Sequence, residues 1–96
     1  GFPAFKWKAV LPHLPADLSG WTALDIGCNA GFYAFELARR GARVTGVDVD
    51  DHCLTQARWA AERLGLDDLV ELRRGTIYDL AETDEQWDLV LFMGVL

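Results

Sequence analysis

Apolar residues in this chain come in short runs, separated by glycines, prolines and charged clusters. The run from Ala23 to Ile26 reads as a buried strand, starting at Trp21. A helical pattern begins at Phe32 and runs to Arg40. Phe32, Phe35, Leu37 and Ala38 supply its apolar contacts, and Gly41 stands just past its end. Ala42 to Val49, rich in valine, reads as a second strand that ends in the acidic cluster Asp48, Asp50 and Asp51. Leu54, Ala57, Ala61 and Leu64 then fall at helical spacing on one face, with Asp50 or Asp51 as the N-cap and Gly65 as the stop. Val70 to Arg74 alternates as a third strand. Gly75 to Asp84 reads as a loop with one short helical turn. Trp87 to Val95 is an apolar fourth strand of the kind buried on both faces.

This β-α-β-α-β-(short)-β order predicts an α/β fold. Right-handed crossovers give a parallel sheet in the order 3-2-1-4, half of a doubly wound domain. All three prolines lie in the first 19 residues. Residues 1–20 are therefore expected to form a separate cap segment, and 21–96 a cofactor-binding portion. In the cap, Phe2, Phe5 and Trp7 are expected to pack on the sheet; a sharper reading makes Lys6 and Trp7 a lid over a ligand. The chain opens without Met and stops on Phe92-Met93-Gly94-Val95-Leu96. Exposed apolar strands leave adhesive edges, so the expectation is a fragment whose C-terminal half is missing.

The 96 residues suffice for one small domain of ordinary balance, with 51% hydrophobic and 25% charged residues. A net charge of −6 argues against a nucleic-acid surface on this segment itself. No apolar run approaches the ~20 residues that span a bilayer, and no basic leader precedes an apolar core. The two cysteines, Cys28 and Cys53, make no disulfide framework, and with His13 and His52 they show no metal-ligand spacing. A cytoplasmic protein is the simplest reading.

The chemistry is expected at the carboxyl ends of the strands, where open parallel sheets bind ligands. Gly27 and Gly31 bracket a turn between the first strand and the first helix, where backbone can approach a ligand closely. Asp48 lies 21 residues after Gly27 and ends the second strand. An acidic residue there suits a pair of ribose hydroxyls, because its carboxylate accepts two hydrogen bonds. After the third strand, Ile77 is placed to lie against a flat purine and Thr76 to hydrogen-bond its edge; an ordinary loop with a buried Ile77 is the competing account. Asp25 discriminates among ligands. A carboxylate inside a buried strand is costly unless paired, and beside the glycine turn it suits the ammonium end of an amino-acid-bearing cofactor, directly or through water. A dinucleotide has no such cation, and Gly27, Asn29 and Ala30 do not fit the G-x-G-x-x-G fingerprint. Both facts favour S-adenosylmethionine over NAD. Cys28 reads as a small residue in a tight loop rather than a nucleophile, and no catalytic triad or carboxylate dyad stands out.

Taken together, Leu24-Asp25-Ile26-Gly27-Cys28-Asn29-Ala30-Gly31, Gly46-Val47-Asp48 and Phe92-Met93-Gly94-Val95-Leu96 resemble the class I S-adenosylmethionine-dependent methyltransferases, with their Rossmann-like sheet. Asn29 stands where the usual loop has its middle glycine; asparagine can also adopt positive φ. A narrower likeness runs through Lys6-Trp7, Val10-Leu11-Pro12-His13-Leu14 and Met93-Gly94-Val95-Leu96. These resemble the bacterial tRNA wobble-uridine carboxymethyltransferases, which use carboxy-S-adenosylmethionine, and their uncharacterised methyltransferase relatives. The resemblance implies that Asp25, Gly27, Cys28, Asn29 and Gly31 flank the methionine part. It places Asp48 on the ribose with Val49 in the same cofactor-binding set, Thr76 and Ile77 at the adenine, and Met93 along the cofactor by its backbone. The implied function is methyl transfer to an unspecified acceptor, a small molecule or tRNA. Carboxymethyl transfer to tRNA wobble uridine and a non-catalytic nucleotide-binding domain are the alternatives.

Overall fold

A computed structural model describes residues 14–29 and 31–92, with Phe32 described by its backbone alone. Its sheet is built from β1 (Thr22–Ile26), β2 (Arg43–Asp48), β3 (Val70–Arg74) and β4 (Leu89–Leu91). The helices are α1 (Phe32–Arg39), α2 (Asp51–Arg63) and the single-turn α3 (Ile77–Ala81). The strands form one four-stranded sheet in the order β3-β2-β1-β4, and every pairing is parallel. This is the order expected for a Rossmann-like half-domain.

The register sorts the side chains onto two faces, because alternate residues of a strand point to opposite sides. Ala23 pairs with Val44, and Val44 with Val70; this face carries the main core. Ala34, Leu37 and Ala38 of α1 and Ala57 and Ala61 of α2 pack into it, as does Leu18 from the segment before β1. Leu24, Ile26 and Val47 form the other face, under half-buried Leu80, Trp87, Val90 and Phe92. Burying a leucine such as Leu18, Leu37 or Leu54, each fully enclosed, contributes about 2 kcal/mol.

Local signals set the element ends. Asp50 is the N-cap of α2, and its carboxylate accepts from the N–H groups of His52 and Cys53. The apolar face of that helix is shorter than expected. Leu54, Ala57 and Ala61 are buried, but Leu64 is exposed. Leu64 is the C-cap, where the chain leaves helical rotation and the 3.6-residue spacing no longer governs direction. The fourth strand is also shorter than its apolar run. Trp87 and Asp88 precede it, and Asp88 instead accepts from the N–H and hydroxyl of Thr22, fastening the start of β4 to β1. Leu89 and Val90 are half-buried rather than enclosed on both sides, since only the five-residue α3 connects β3 to β4 and covers the second face. The expected positions of Phe2, Phe5, Lys6 and Trp7 lie outside the described residues. Among those described, no helix is long and apolar enough to cross a membrane.

Gly31 caps α1 with φ 91°, and a Cβ there would stand 2.7 Å from the Phe35 ring. Gly65, at φ 69°, has nothing within 4 Å of the same point. Gly31→Ala is expected to cost about 2–4 kcal/mol, backbone strain plus overpacking, against about 1–2 kcal/mol for Gly65→Ala from strain alone. Urea denaturation measures both; equal costs would show that the Phe35 contact is not tight.

Candidate functional site

Three loops converge at the carboxyl ends of β1, β2 and β3, and the end of β2 holds them together. The carbonyl of Val47 accepts from the N–H groups of Gly27 (2.8 Å) and Cys28 (3.2 Å). The carbonyl of Asp48 accepts from the N–H of Gly75 (3.0 Å). The Asp48 carboxylate accepts from the N–H of Asn29 through one oxygen and from the N–H of Asp50 through the other, both at 2.9 Å. Asn29 reaches this bond with φ 52°, the left-handed conformation that asparagine tolerates and that a middle glycine would otherwise supply.

The loops enclose a cleft of about 480 Å³ lined by Ile26, Gly27, Asn29, Val47, Asp48, Val49, Gly75, Thr76, Ile77 and Phe92. Its walls are mainly apolar, and among the described residues Asp48 is the only ionisable side chain in the lining. Val49 is 59% exposed and Ile77 38% exposed, so neither is spent on the core. A buried Ile77, the competing expectation, is not what the structure shows. A second cleft of about 400 Å³ opens at the amino ends of the strands, between Arg43, Glu71, Arg73, Glu85 and Trp87. The Arg73 guanidinium there is committed to the carboxylates of Glu71 and Glu85.

Six of the residues picked from the sequence thus meet around one space: Gly27, Asn29, Asp48, Val49, Thr76 and Ile77. Thr76 sits there with its polar groups already engaged. It is the N-cap of α3 in a capping box: its N–H and hydroxyl donate to Asp79 Oδ2, and its hydroxyl accepts from the Asp79 N–H. The N–H and O–H donors of Thr76 are thus committed to Asp79, and its hydroxyl oxygen keeps one lone pair for a ligand. Cys28, Gly31 and Asp25 are not in the lining. The turn directs Cys28 inward, where its side chain packs over Gly46; a Cβ on Gly46 would stand 3.1 Å from the sulfur. Burial, with Asp25 and Asp48 nearby, pushes the Cys28 thiol up to about 12, which leaves no thiolate for nucleophilic work. Gly31 faces Phe35 rather than the cleft. Met93 lies outside the described residues. Ile26, Val47, Gly75 and Phe92 line the cleft without having been singled out. The signal for the first two was the strand register, since Ile26 and Val47 form the last pair between β1 and β2.

Asp25 is the anomaly of the site. It is fully buried, between Gly46 of β2 and Leu91 of β4, and neither carboxylate oxygen has a hydrogen-bond partner among the described residues. Burial, reinforced by the charge of Asp48, pushes its carboxyl up to about 7. The folded-state value lies above the unfolded one. Its stabilising contribution is therefore complete below about pH 4 and lost as pH rises towards 7. Asp25→Asn, which cannot ionise, is expected to gain stability relative to the parent between pH 4.5 and pH 8, by a few kcal/mol at most. Denaturant titrations at both values measure it; a difference independent of pH would show that Asp25 ionises freely in the fold.

Comparison with known proteins agrees with this architecture. A family model described as a methyltransferase domain matches residues 23–96. A ubiquinone biosynthesis O-methyltransferase of Ruegeria sp. (strain TM1040) is 41% identical over 81 residues, covering 84% of this chain and 32% of the relative. A tRNA U34 carboxymethyltransferase of Klebsiella pneumoniae is 38% identical over 93 residues, covering 96% of this chain and 27% of the relative. The chain spans about a third or less of the length of these curated relatives. Among solved structures, an RNA methyltransferase from Salinibacter ruber in complex with S-adenosyl-L-homocysteine superposes with a TM-score of 0.74 at 29% identity, covering 93% of this chain and 58% of that one.

Proposed function

The chain belongs to the methyltransferase domain family, and on that premise we propose that its carboxyl-edge cleft holds S-adenosylmethionine for methyl transfer. The observation that carries the reading is the pairing of one carboxylate, Asp48, with exposed apolar walls at Val49 and Ile77 in a single cleft. A nucleoside has that shape: a diol that donates hydrogen bonds and a flat, weakly polar base. Each Asp48 oxygen is used once by a backbone N–H and keeps lone-pair capacity for a ribose hydroxyl. Val49 and Ile77 flank the adenine, with Phe92 and Ile26 closing the apolar floor. Gly27 and Asn29 bring bare backbone to the methionine part, and the unpartnered Asp25 behind them supplies negative potential for its ammonium group.

When bound, the cofactor supplies a methyl group activated by the adjoining sulfonium. The chain's own residues orient the nucleoside, exclude water from its apolar side and fix the direction in which the methyl is presented. Rate acceleration then comes largely from holding acceptor and methyl in near-attack geometry. The two cysteines are free thiols, which suits a reducing, cytoplasmic setting. One observation favours a second reading, carboxymethyl transfer to tRNA wobble uridine: the carboxymethyltransferase relative aligns over 96% of the chain. Turnover of carboxy-S-adenosylmethionine by the full-length protein separates the two.

In the full-length protein, Asp48→Ala is expected to weaken S-adenosylhomocysteine binding more than tenfold, measured by calorimetry. Because Asp48 also holds the turn, Ile77→Ala serves as the companion variant; it removes only cleft wall and is expected to weaken binding several-fold. Unchanged affinity in both would place the nucleoside elsewhere.

A further inference from the structure

Asp25 stores an unfavourable arrangement that the cleft geometry alone does not use. Its carboxyl group is enclosed on the face of the sheet that carries α1 and α2, in register with Gly46 of β2 and Leu91 of β4. The groups packed on that face are mainly apolar: Ala34, Leu37 and Ala38 from α1, and Ala57 and Ala61 from α2, with half-buried Tyr33 of α1 the one titratable side chain among the described residues of that cluster. The titratable neighbours are Asp48 at the end of β2, the Cys28 thiol in the turn and, beyond it, Cys53 of α2. All of these are acids, and no cation among the described residues contributes to the surroundings of Asp25. A buried carboxylate without a partner is costly, and a proton is the smallest group that removes the cost. A positive charge arriving in the cleft beside Asp48, a lining residue whose own charge acts on Asp25, relieves the same cost electrostatically.

We propose that entry of a ligand bearing an ammonium group into the cleft expels a proton from Asp25, so that the two positive charges exchange. This inference rests on the cofactor reading above and adds to it a regulation: occupancy of the site responds to pH near neutrality. The balance is simple. Below pH 7 the free protein holds Asp25 mainly as the neutral acid; the complex holds the carboxylate in the field of the ligand's ammonium, and the proton passes to buffer. The ligand's amino group stays protonated in the range concerned, since such groups titrate at about 7.7 or above. Burial already holds the carboxyl of Asp25 at about 7, so a modest added field suffices to ionise it. Affinity for an amine-bearing ligand should therefore fall as pH drops below 7, approaching tenfold per unit. Affinity for a nucleoside without the amine should not.

The test is calorimetric titration of the full-length protein at pH 6.5 in two buffers of different ionisation enthalpy. S-adenosylhomocysteine is expected to release between about half and one proton. 5′-Methylthioadenosine, which keeps the nucleoside and thioether but lacks the amine, is expected to release essentially none. Asp25→Asn should bind S-adenosylhomocysteine without proton release, and its melting curve checks that it is folded. Equal proton release by both ligands, release that persists in Asp25→Asn, or binding of S-adenosylhomocysteine with no buffer dependence would each overturn the exchange while leaving the cofactor assignment intact. If S-adenosylhomocysteine does not bind at all, the cofactor reading fails, and this inference fails with it.

Discussion

Two consecutive residues at the end of β2 organise the working edge of this fold. Val47 and Asp48 together accept five hydrogen bonds from backbone N–H groups: Gly27, Cys28, Asn29, Asp50 and Gly75. Those donors come from the three loops that follow β1, β2 and β3. A parallel sheet brings the loops to the same edge, because every strand ends there. It does not set their spacing, and the carbonyls and carboxylate at the end of β2 do. The cleft exists because Asp48 keeps the glycine turn on one side and the Gly75–Ile77 segment reaches the other. Asp48 therefore has a structural task before it meets any ligand, and loss of its carboxylate loosens the turn as well as removing an acceptor.

The same edge concentrates negative charge. Asp25 is buried without a partner, Asp48 lines the cleft, and Asp50 caps α2. A fold optimised only for stability would not place a carboxyl group where Asp25 lies; a leucine or alanine there would pack without a desolvation cost. Local arrangements that disfavour the fold are where function is expected. Asp50 shows the contrast. Its carboxylate accepts two backbone N–H groups at the helix start, which holds its carboxyl below the usual range. Residues of one chemical type along a single edge thus divide into a cap, a latch and an unpartnered buried acid according to what surrounds them.

Much of this was legible in the residues. The valine-rich second strand, the alternating third strand, the Asp50 cap and the tolerance of Asn29 for positive φ follow from periodicity and backbone preference, and the structure contains each of them. The strand order followed from the handedness of crossovers. What sequence spacing could not decide was direction within a turn. Cys28 and Gly31 are as close in sequence to the cleft as Gly27 and Asn29, yet they face the core and Phe35. Thr76 is expected to hydrogen-bond a purine edge, but Thr76-Ile77-Tyr78-Asp79 is also a capping-box pattern with Asp in place of Glu, and that local pairing takes the hydroxyl proton. Leu64 and the start of the fourth apolar run differ from expectation for a common reason: at the end of an element, periodicity no longer fixes which way a side chain points.

The central claim is that this edge recognises a nucleoside joined to an ammonium-bearing chain rather than a dinucleotide. The most direct measurement is paired calorimetric titration of the full-length protein with S-adenosylhomocysteine and with NADH under one buffer condition. The account predicts saturable one-to-one binding of S-adenosylhomocysteine and no measurable heat of binding for NADH. Tight binding of NADH with no response to S-adenosylhomocysteine would contradict it.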